Sequence, residues 1–172
     1  MGWDGPGCLR RGTDVMRIER YRSGTSFVES AGPLLLRSSQ RPAIIVGHGA
    51  RFNIPAVLEL AERMGSPIIT TFKAKGLVSD HHPLGCSVRG RSGTPIASWF
   101  MNEADCLLVL GAFFSNHTGI TPKKPTIQVD FDAMTLGKFH RVDMPVWGEI
   151  GVTLGFLSET LGQDVDMIDQ RE

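Results

Sequence analysis

The sequence has few cysteines, no long hydrophobic run and no excess of charge of either sign. Its three cysteines, Cys8, Cys86 and Cys106, are far apart and odd in number, which indicates a reducing compartment and argues against a four-cysteine zinc site. No apolar run approaches the roughly 18–20 residues that span a bilayer. Eighteen basic residues balance eighteen acidic ones, so the net charge favours neither nucleic acid nor an anionic membrane. These absences predict a soluble cytoplasmic protein without nucleic-acid or membrane partners.

The two ends of the chain differ in composition from its middle. Residues 1–25 are rich in glycine and arginine, show little apolar periodicity and are predicted to form an irregular leader. Residues 26–162 contain the apolar runs and are predicted to form one domain, and residues 163–172 are predicted to form an acidic tail. A chain of 172 residues has the length for one domain with a full core rather than two.

Short apolar runs alternate with helical patterns through the middle of the sequence. Strands are predicted at residues 43–46, 67–71, 106–110, 126–130 and 144–147. Helices are predicted at residues 26–39, after Asn53 as N-cap, from Thr94 to about Glu103 and at residues 149–161, and residues 73–91 are predicted to form a loop. Strands that are apolar on both faces and separated by helices are typical of a parallel sheet covered on both sides, which is a doubly wound α/β fold.

The predicted carboxyl ends of the strands carry the residues best suited to a ligand, because ligands of such sheets bind beyond that edge. A Gly47-His48-Gly49 turn follows the first strand, and Asp130 ends the fourth. Glycines let backbone N–H groups approach a phosphate, and a carboxylate can accept hydrogen bonds from a ribose. The set is compatible with a nucleotide-like ligand. It is equally compatible with glycines that are present because tight turns need them.

A nicotinamide-dinucleotide fingerprint is incomplete in this sequence. Gly47 and Gly49 supply the first two glycines of G-x-G-x-x-G, but the third position is Phe52, and the second strand lacks the acidic residue that would bind the ribose. The pair His81 and His82 is predicted to lie in a solvated turn rather than a metal site. No catalytic residue and no metal ligand is assigned.

The segments between about Arg41 and Leu161, taken in order, resemble the central domain of thiamine-diphosphate-dependent enzymes of the acetolactate synthase and pyruvate oxidase family. The matching pieces are RPAIIVGHGA, ELAERMGSPIITTFKAKG, SDHHPLG, GRSGTPIAS, EADCLLVLGAFFSNHTG, PTIQVDFDAMTLGKFHRVDMPVWGE and the closing helix. The resemblance implies a three-layer, doubly wound Rossmann-like domain with a parallel sheet of about five to six strands, of the DHS-like NAD/FAD-binding type.

In this family, other domains supply a glutamate that activates the thiazolium ring and a Gly-Asp-Gly motif that binds Mg²⁺ and the diphosphate. Neither is recognisable here. The resemblance therefore implies a structural or cofactor-supporting role in a 2-oxo-acid decarboxylase or carboligase, with thiamine diphosphate and Mg²⁺ bound only through other domains. It also implies association with separately encoded domains that bind thiamine diphosphate, or with further copies of this chain, driven by exposed apolar surface.

Some members of the family hold FAD or ADP in the crevice of the central domain. The resemblance assigns the following positions to such a cofactor: Gly47, His48, Gly49, Thr71, Phe72, Lys73, Gly90, Arg91, Ser92, Gly111, Ala112, Asn116, His117, Asp130, Phe131, Gly148 and Glu149. Several positions depart from the pattern of the members that use FAD, because Phe113 stands where they have arginine and His48 where they have a small residue. The departures disfavour FAD and favour an empty crevice or a weakly held adenine nucleotide.

Two alternatives from other classes use the same type of sheet. One is an independent NAD-consuming, sirtuin-like deacylase, which the scattered cysteines disfavour because that class usually carries a four-cysteine zinc site. The other is a nucleotide-binding regulatory module.

Overall fold

The structure is a computed structural model that describes residues 32–90, 93–113 and 123–162. Its strands are β1 (Pro42–Val46), β2 (Ile68–Thr70), β3 (Gly85–Val88), β4 (Cys106–Leu110), β5 (Thr126–Asp130) and β6 (Met144–Trp147). Its helices are α1 (32–38), α2 (Ile54–Met64), α3 (Pro95–Glu103) and α4 (Ile150–Leu161). Short 3₁₀ turns, His48–Ala50 and Phe72–Ala74, follow β1 and β2. None of the described helices is long and apolar enough to cross a membrane.

The six strands form one parallel sheet in the order β3-β2-β1-β4-β5-β6. The chain crosses from β1 to β2 on one side and later returns to place β4 on the other side of β1, so the strand order reverses between β1 and β4. This topological switch point is where parallel α/β sheets place their ligand crevice. The doubly wound, Rossmann-like fold class predicted from the sequence is confirmed.

The two faces of the sheet are covered unequally. On one face, residues such as Ile44 and Leu108 pack against α2 and α4 in the larger hydrophobic core. On the other face, Ile45 and Val109 pack against α3 through residues that include Met101. Alternate residues of a strand point to opposite faces, so burial on both sides makes β1 and β4 continuous apolar runs. This is the pattern from which the sequence analysis derived a parallel sheet.

The prediction of a loop over residues 73–91 is wrong where Gly85–Val88 forms strand β3. This strand lies at the edge of the sheet and pairs with β2 through an irregular register, Ile68 beside Gly85 and Thr70 beside Val88. Only alternate residues of β3 are buried, and Ser87 has a φ of 63°. A four-residue edge strand with one buried face carries no apolar run, so the sequence offered no signal for it.

The boundaries of α2 and α3 follow the predicted caps. Thr94 caps α3 by accepting a hydrogen bond from the N–H of Ala97 at 3.3 Å, and Gly65 closes α2 in the left-handed conformation. Asn53 occupies the predicted N-cap position of α2, but its side chain makes no capping hydrogen bond. Its amide instead lies against Glu149, at the start of α4. The predicted leader, the predicted tail and residues 26–31 lie outside the described residues.

Candidate functional site at the carboxyl edge of the sheet

The described residues that the sequence analysis assigned to a cofactor all lie at the carboxyl edge of the sheet. Across the sheet from β3 to β6 they are Gly90; Thr71, Phe72 and Lys73; Gly47, His48 and Gly49; Gly111 and Ala112; Asp130 and Phe131; and Gly148 and Glu149. Arg91, Ser92, Asn116 and His117 lie outside the described residues. The topology thus brings the described positions to one edge, and their role in binding a cofactor stays a prediction.

The turns after β1 and β4 are in direct backbone contact at the switch point. A Cβ atom at Gly47 would lie 2.1 Å from the carbonyl oxygen of Gly111 and 2.3 Å from the Cα of Ala112. A Cβ at Gly49 would lie 2.8 Å from the Cα of Gly111, which itself has a φ of 56°. Glycine is required at these positions because the two turns pack against each other. We call Gly47, Gly49 and Gly111 the glycine interlock.

Backbone N–H groups of the turn after β1 are bonded within the domain. The N–H of Gly47 donates to the carbonyl of Leu110 at 2.9 Å, and that of Gly49 donates to the carbonyl of Gly111 at 3.0 Å. The N–H groups of Ala50 and Arg51 donate to carbonyls of the same turn at 3.1 and 3.2 Å. A phosphate cradle needs N–H groups that point freely at the anion. The hydrogen bonds of this turn are directed into the interlock instead.

Asp130, the predicted ribose acceptor, is buried and closes the turn after β5. Its Oδ1 accepts a hydrogen bond from the N–H of Asp132 at 2.9 Å. Desolvation by burial raises the pKa of the Asp130 carboxyl, since removal from water disfavours the charged form. The neighbouring backbone is fixed as well, because the indole N–H of Trp147 donates to the carbonyl of Phe131 at 2.8 Å. This carboxyl therefore has a structural role in the loop.

Glu149, a predicted adenosine-side position, is the N-cap of α4. Its carboxylate accepts a hydrogen bond from the N–H of Val152 at 2.7 Å. Hydrogen bonds from the backbone of Gly151 and Val152, and from the Asn53 side chain, hold the pKa of the Glu149 carboxyl below its usual value. A carboxylate at this place also faces the positive end of the helix dipole. Asn53 and Glu149 thereby join the starts of α2 and α4.

Gln128 is an organising residue that the sequence analysis missed. It is buried in the middle of β5, and its Nε2 donates to the carbonyl of Ala112 at 3.2 Å and to that of Thr135 at 3.4 Å. Its Oε1 accepts a hydrogen bond from the N–H of Gly137 at 2.9 Å. The amide therefore fastens the β5–β6 loop over the sheet and joins it to the turn after β4. A polar residue between the apolar Ile127 and Val129 was the available signal.

Phe113 stands beside the interlock and packs on another exposed aromatic side chain. The rings of Phe113 and Phe139 meet edge to face, with centroids 5.2 Å apart. The Nζ of Lys138 lies 5.4 Å from one centroid and 5.7 Å from the other, within the range of cation–π attraction. This chain therefore has an aromatic pair with an adjacent cation at the position that the resemblance in sequence compared with an arginine of FAD-binding proteins.

The described residues offer no metal site and no activated thiol. No group of three or more His, Cys, Asp or Glu side chains among them could hold a metal ion. His82 contacts Glu62 at 3.3 Å through Nε2 and accepts the N–H of Leu84 through Nδ1, which gives it a structural role. Burial raises the pKa of Cys86 to about 11 and that of Cys106 to about 12, so both thiols stay protonated at neutral pH.

The topology and this edge define a doubly wound, Rossmann-like parallel α/β domain. Comparison with known protein families identifies it more closely, because residues 34–157 match the model of the thiamine pyrophosphate enzyme central domain. The match covers well over half of the chain. The chain therefore belongs to the family of thiamine pyrophosphate enzyme central domains, as the resemblance in sequence implied.

The sequences of individual relatives support the same family assignment. The chain is 33% identical over 127 residues to the "Probable acetolactate synthase large subunit" of Methanococcus aeolicus, an alignment that covers 70% of this chain and 21% of the relative. It is 33% identical over 129 residues to the acetolactate synthase isozyme 1 large subunit of Escherichia coli, covering 72% and 23%. It is 31% identical over 137 residues to the acetolactate synthase of Mycobacterium avium, covering 76% and 22%. The chain thus matches about a fifth of the length of these relatives.

Proposed function

We propose that this chain acts as a structural, cofactor-supporting central domain of a thiamine-diphosphate-dependent decarboxylase or carboligase, such as acetolactate synthase, in the cytoplasm. The observation that carries the proposal is the family match over residues 34–157 together with the parallel order β3-β2-β1-β4-β5-β6. In this proposal the domain holds other parts of the enzyme in place, and its own side chains make or break no bond of the substrate.

Thiamine diphosphate and Mg²⁺ do not fit the described residues. Magnesium in a diphosphate site needs carboxylate or carbonyl oxygens in near-octahedral positions, and the described acidic side chains form no such group. The sequence also contains no Gly-Asp-Gly. We therefore assign the chemistry of thiamine diphosphate to other domains and derive no step of it from this chain.

Few of the described residues have groups that are free to bind FAD or ADP in the crevice. The N–H groups of Gly47 and Gly49 are bonded within the glycine interlock, and the Asp130 carboxyl is buried in its own loop. Glu149 caps α4. These contacts support a scaffold that binds a dinucleotide weakly or not at all, and we assign no flavin chemistry to the domain.

The experiment that tests this proposal is an activity assay of the purified 172-residue chain. With pyruvate, thiamine diphosphate and Mg²⁺ present, we expect no carbon dioxide release and no acetolactate above the rate without protein. A complete acetolactate synthase under the same conditions is the positive control. Turnover by the chain alone that is abolished by omitting thiamine diphosphate would overturn the proposal.

A further inference from the structure

The carboxyl edge of the sheet exposes an aromatic side chain beside each of five neighbouring strands. In the order β2, β1, β4, β5 and β6, these side chains are Phe72, Phe52, Phe113, Phe131 and Trp147, all of them exposed. Phe72 is 73% exposed. Clustered exposed apolar side chains on a globular protein mark an interaction surface. We call this surface the aromatic edge.

The aromatic edge is also basic. Lys73 and Lys75 are exposed on either side of the buried Ala74, directly after Phe72. Arg51 and Lys138 are exposed at the same edge, so four cationic side chains face the two exposed carboxylates there, those of Asp132 and Glu149. Because the whole chain has a formal net charge of zero, a surplus of positive charge here implies a surplus of negative charge elsewhere on the chain.

A groove between α2 and α4 carries two acidic side chains and one basic side chain, so its charge is opposite in sign to that of the aromatic edge. Its volume is about 520 Å³, and its lining residues are Ala56, Glu59, Arg63, Gly151, Leu154, Gly155, Ser158, Glu159 and Gly162. The carboxylates of Glu59 and Glu159 are exposed and form no salt bridge with another described residue. The guanidinium of Arg63 is held by the carbonyl of Gly162 at 2.6 Å. The two glutamates thus remain available to a basic partner.

The floor of the groove is open where α4 has glycine. A Cβ atom at Gly155 would meet nothing within 4 Å. Small side chains and an open floor can accept a protruding aromatic ring, and the two carboxylates can face the ammonium groups beside that ring. The Phe72–Ala74 turn presents this combination of ring and lysines.

We propose that the aromatic edge of one copy of this chain docks, through Phe72, Lys73 and Lys75, into the α2–α4 groove of a second copy. The two surfaces differ, so the contact is heterologous and each copy offers one free edge and one free groove. Such a contact joins copies head to tail into a ring or an open chain. It goes beyond the proposed function, because it concerns association of this chain with itself.

The first test is sedimentation velocity of the full chain over a range of concentrations at low salt. We expect the mass to rise above that of the 18.8 kDa monomer with concentration, and to fall again as salt screens the lysine–glutamate contacts. A chain that stays monomeric at every concentration would overturn the proposal.

Two variants block the two surfaces separately. K73E/K75E reverses the charge of the edge, and G155L fills the groove with a side chain for which the monomer has room. We expect each variant to associate at least about tenfold more weakly than the wild type, with an unchanged or raised thermal midpoint. G155A is the matched control, because it leaves most of the groove open and should associate like the wild type.

Mixing the two variants distinguishes a heterologous contact from a symmetric one. K73E/K75E keeps an intact groove and G155L keeps an intact edge, so an equimolar mixture should form a 1:1 dimer that cannot grow further. A mixture that stays monomeric, or variants that retain the wild-type mass, would contradict the assigned surfaces.

Discussion

The middle and the flanks of the carboxyl edge differ in what their residues contact. In the middle, between β1 and β4, the glycine interlock brings two backbones so close that no side chain fits between them. On the flanks, Phe72 and Phe131, just after β2 and β5, and Trp147, at the end of β6, are exposed to solvent. The comparison teaches that glycines at a switch point can be required by packing alone, while the residues available to a partner are the exposed side chains around them.

The largest effect is expected from a substitution in the middle. Gly47→Ala places a Cβ 2.1 Å from the carbonyl oxygen of Gly111, and two backbones must separate to relieve the overlap. We expect a loss of about 3 kcal/mol or more in the free energy of unfolding, measured by urea denaturation. Gly155→Ala is the control, and it should stabilise the chain by about 0.5–1 kcal/mol because it lies in an open helix position. Equal effects of the two substitutions would refute the interlock.

A somewhat smaller effect is expected at the residue that ties the β5–β6 flank to the middle. Gln128→Leu keeps the approximate volume but leaves the N–H of Gly137 and the carbonyl of Ala112 without their partner. We expect a cost of about 2 kcal/mol and faster proteolysis within residues 131–139. Gln128→Glu, which retains the acceptor for Gly137, serves as the comparison. Proteolysis as slow as in the wild type would show that the loop is held by other contacts.

The two carboxyls of this edge should respond to pH in opposite directions. Burial raises the folded-state pKa of Asp130, so its contribution to stability is present below its unfolded pKa and is lost as pH rises through the folded value. Helix capping lowers the folded-state pKa of Glu149, so its contribution is present above the unfolded pKa and is lost as pH falls through the folded value.

Urea denaturation across the acidic pH range checks this contrast. Asp130→Asn should change the free energy of unfolding, relative to the wild type, more favourably at neutral pH than at acidic pH. Glu149→Gln should lower stability at neutral pH by about 0.3–1 kcal/mol, because the charge that faces the helix dipole is lost while the amide oxygen can still accept the N–H of Val152. Two variants with the same pH profile as the wild type would show that neither carboxyl has the environment described.

The smallest effect on stability is expected on the exposed flank. Phe72 is 73% exposed, so Phe72→Ala removes little buried area and should change the free energy of unfolding by less than about 0.5 kcal/mol. The same variant should weaken self-association. A destabilisation as large as that of Gly47→Ala would erase the distinction between middle and flank.

Much of the fold was predictable because a strand that is buried on both faces appears in the sequence as a continuous apolar run. β1 and β4 were predicted within a residue of their ends for this reason. β3 was not, because a strand with one buried face and Ser87 in a left-handed conformation has no run to recognise. The positions of the edge residues followed from topology alone.

The contacts within the site were less predictable, because they join residues far apart in the sequence. No residue near Gly47 in the sequence indicates that the backbone of Gly111 occupies the space beside it. The amide of Asn53 resembles a cap for its own helix, but it lies against Glu149, nearly a hundred residues later. The same residue types serve a ligand or a packed turn, and only the three-dimensional arrangement decides between them.

The most direct test of the central claim is thermal-shift measurement of the purified chain with FAD, ADP, NAD and coenzyme A. We expect no change in the melting temperature with any of the four, because the described backbone N–H groups of Gly47 and Gly49 and the Asp130 carboxyl are bonded within the glycine interlock and the loop after β5. A dose-dependent rise with FAD or ADP, saturating at one ligand per chain, would contradict it.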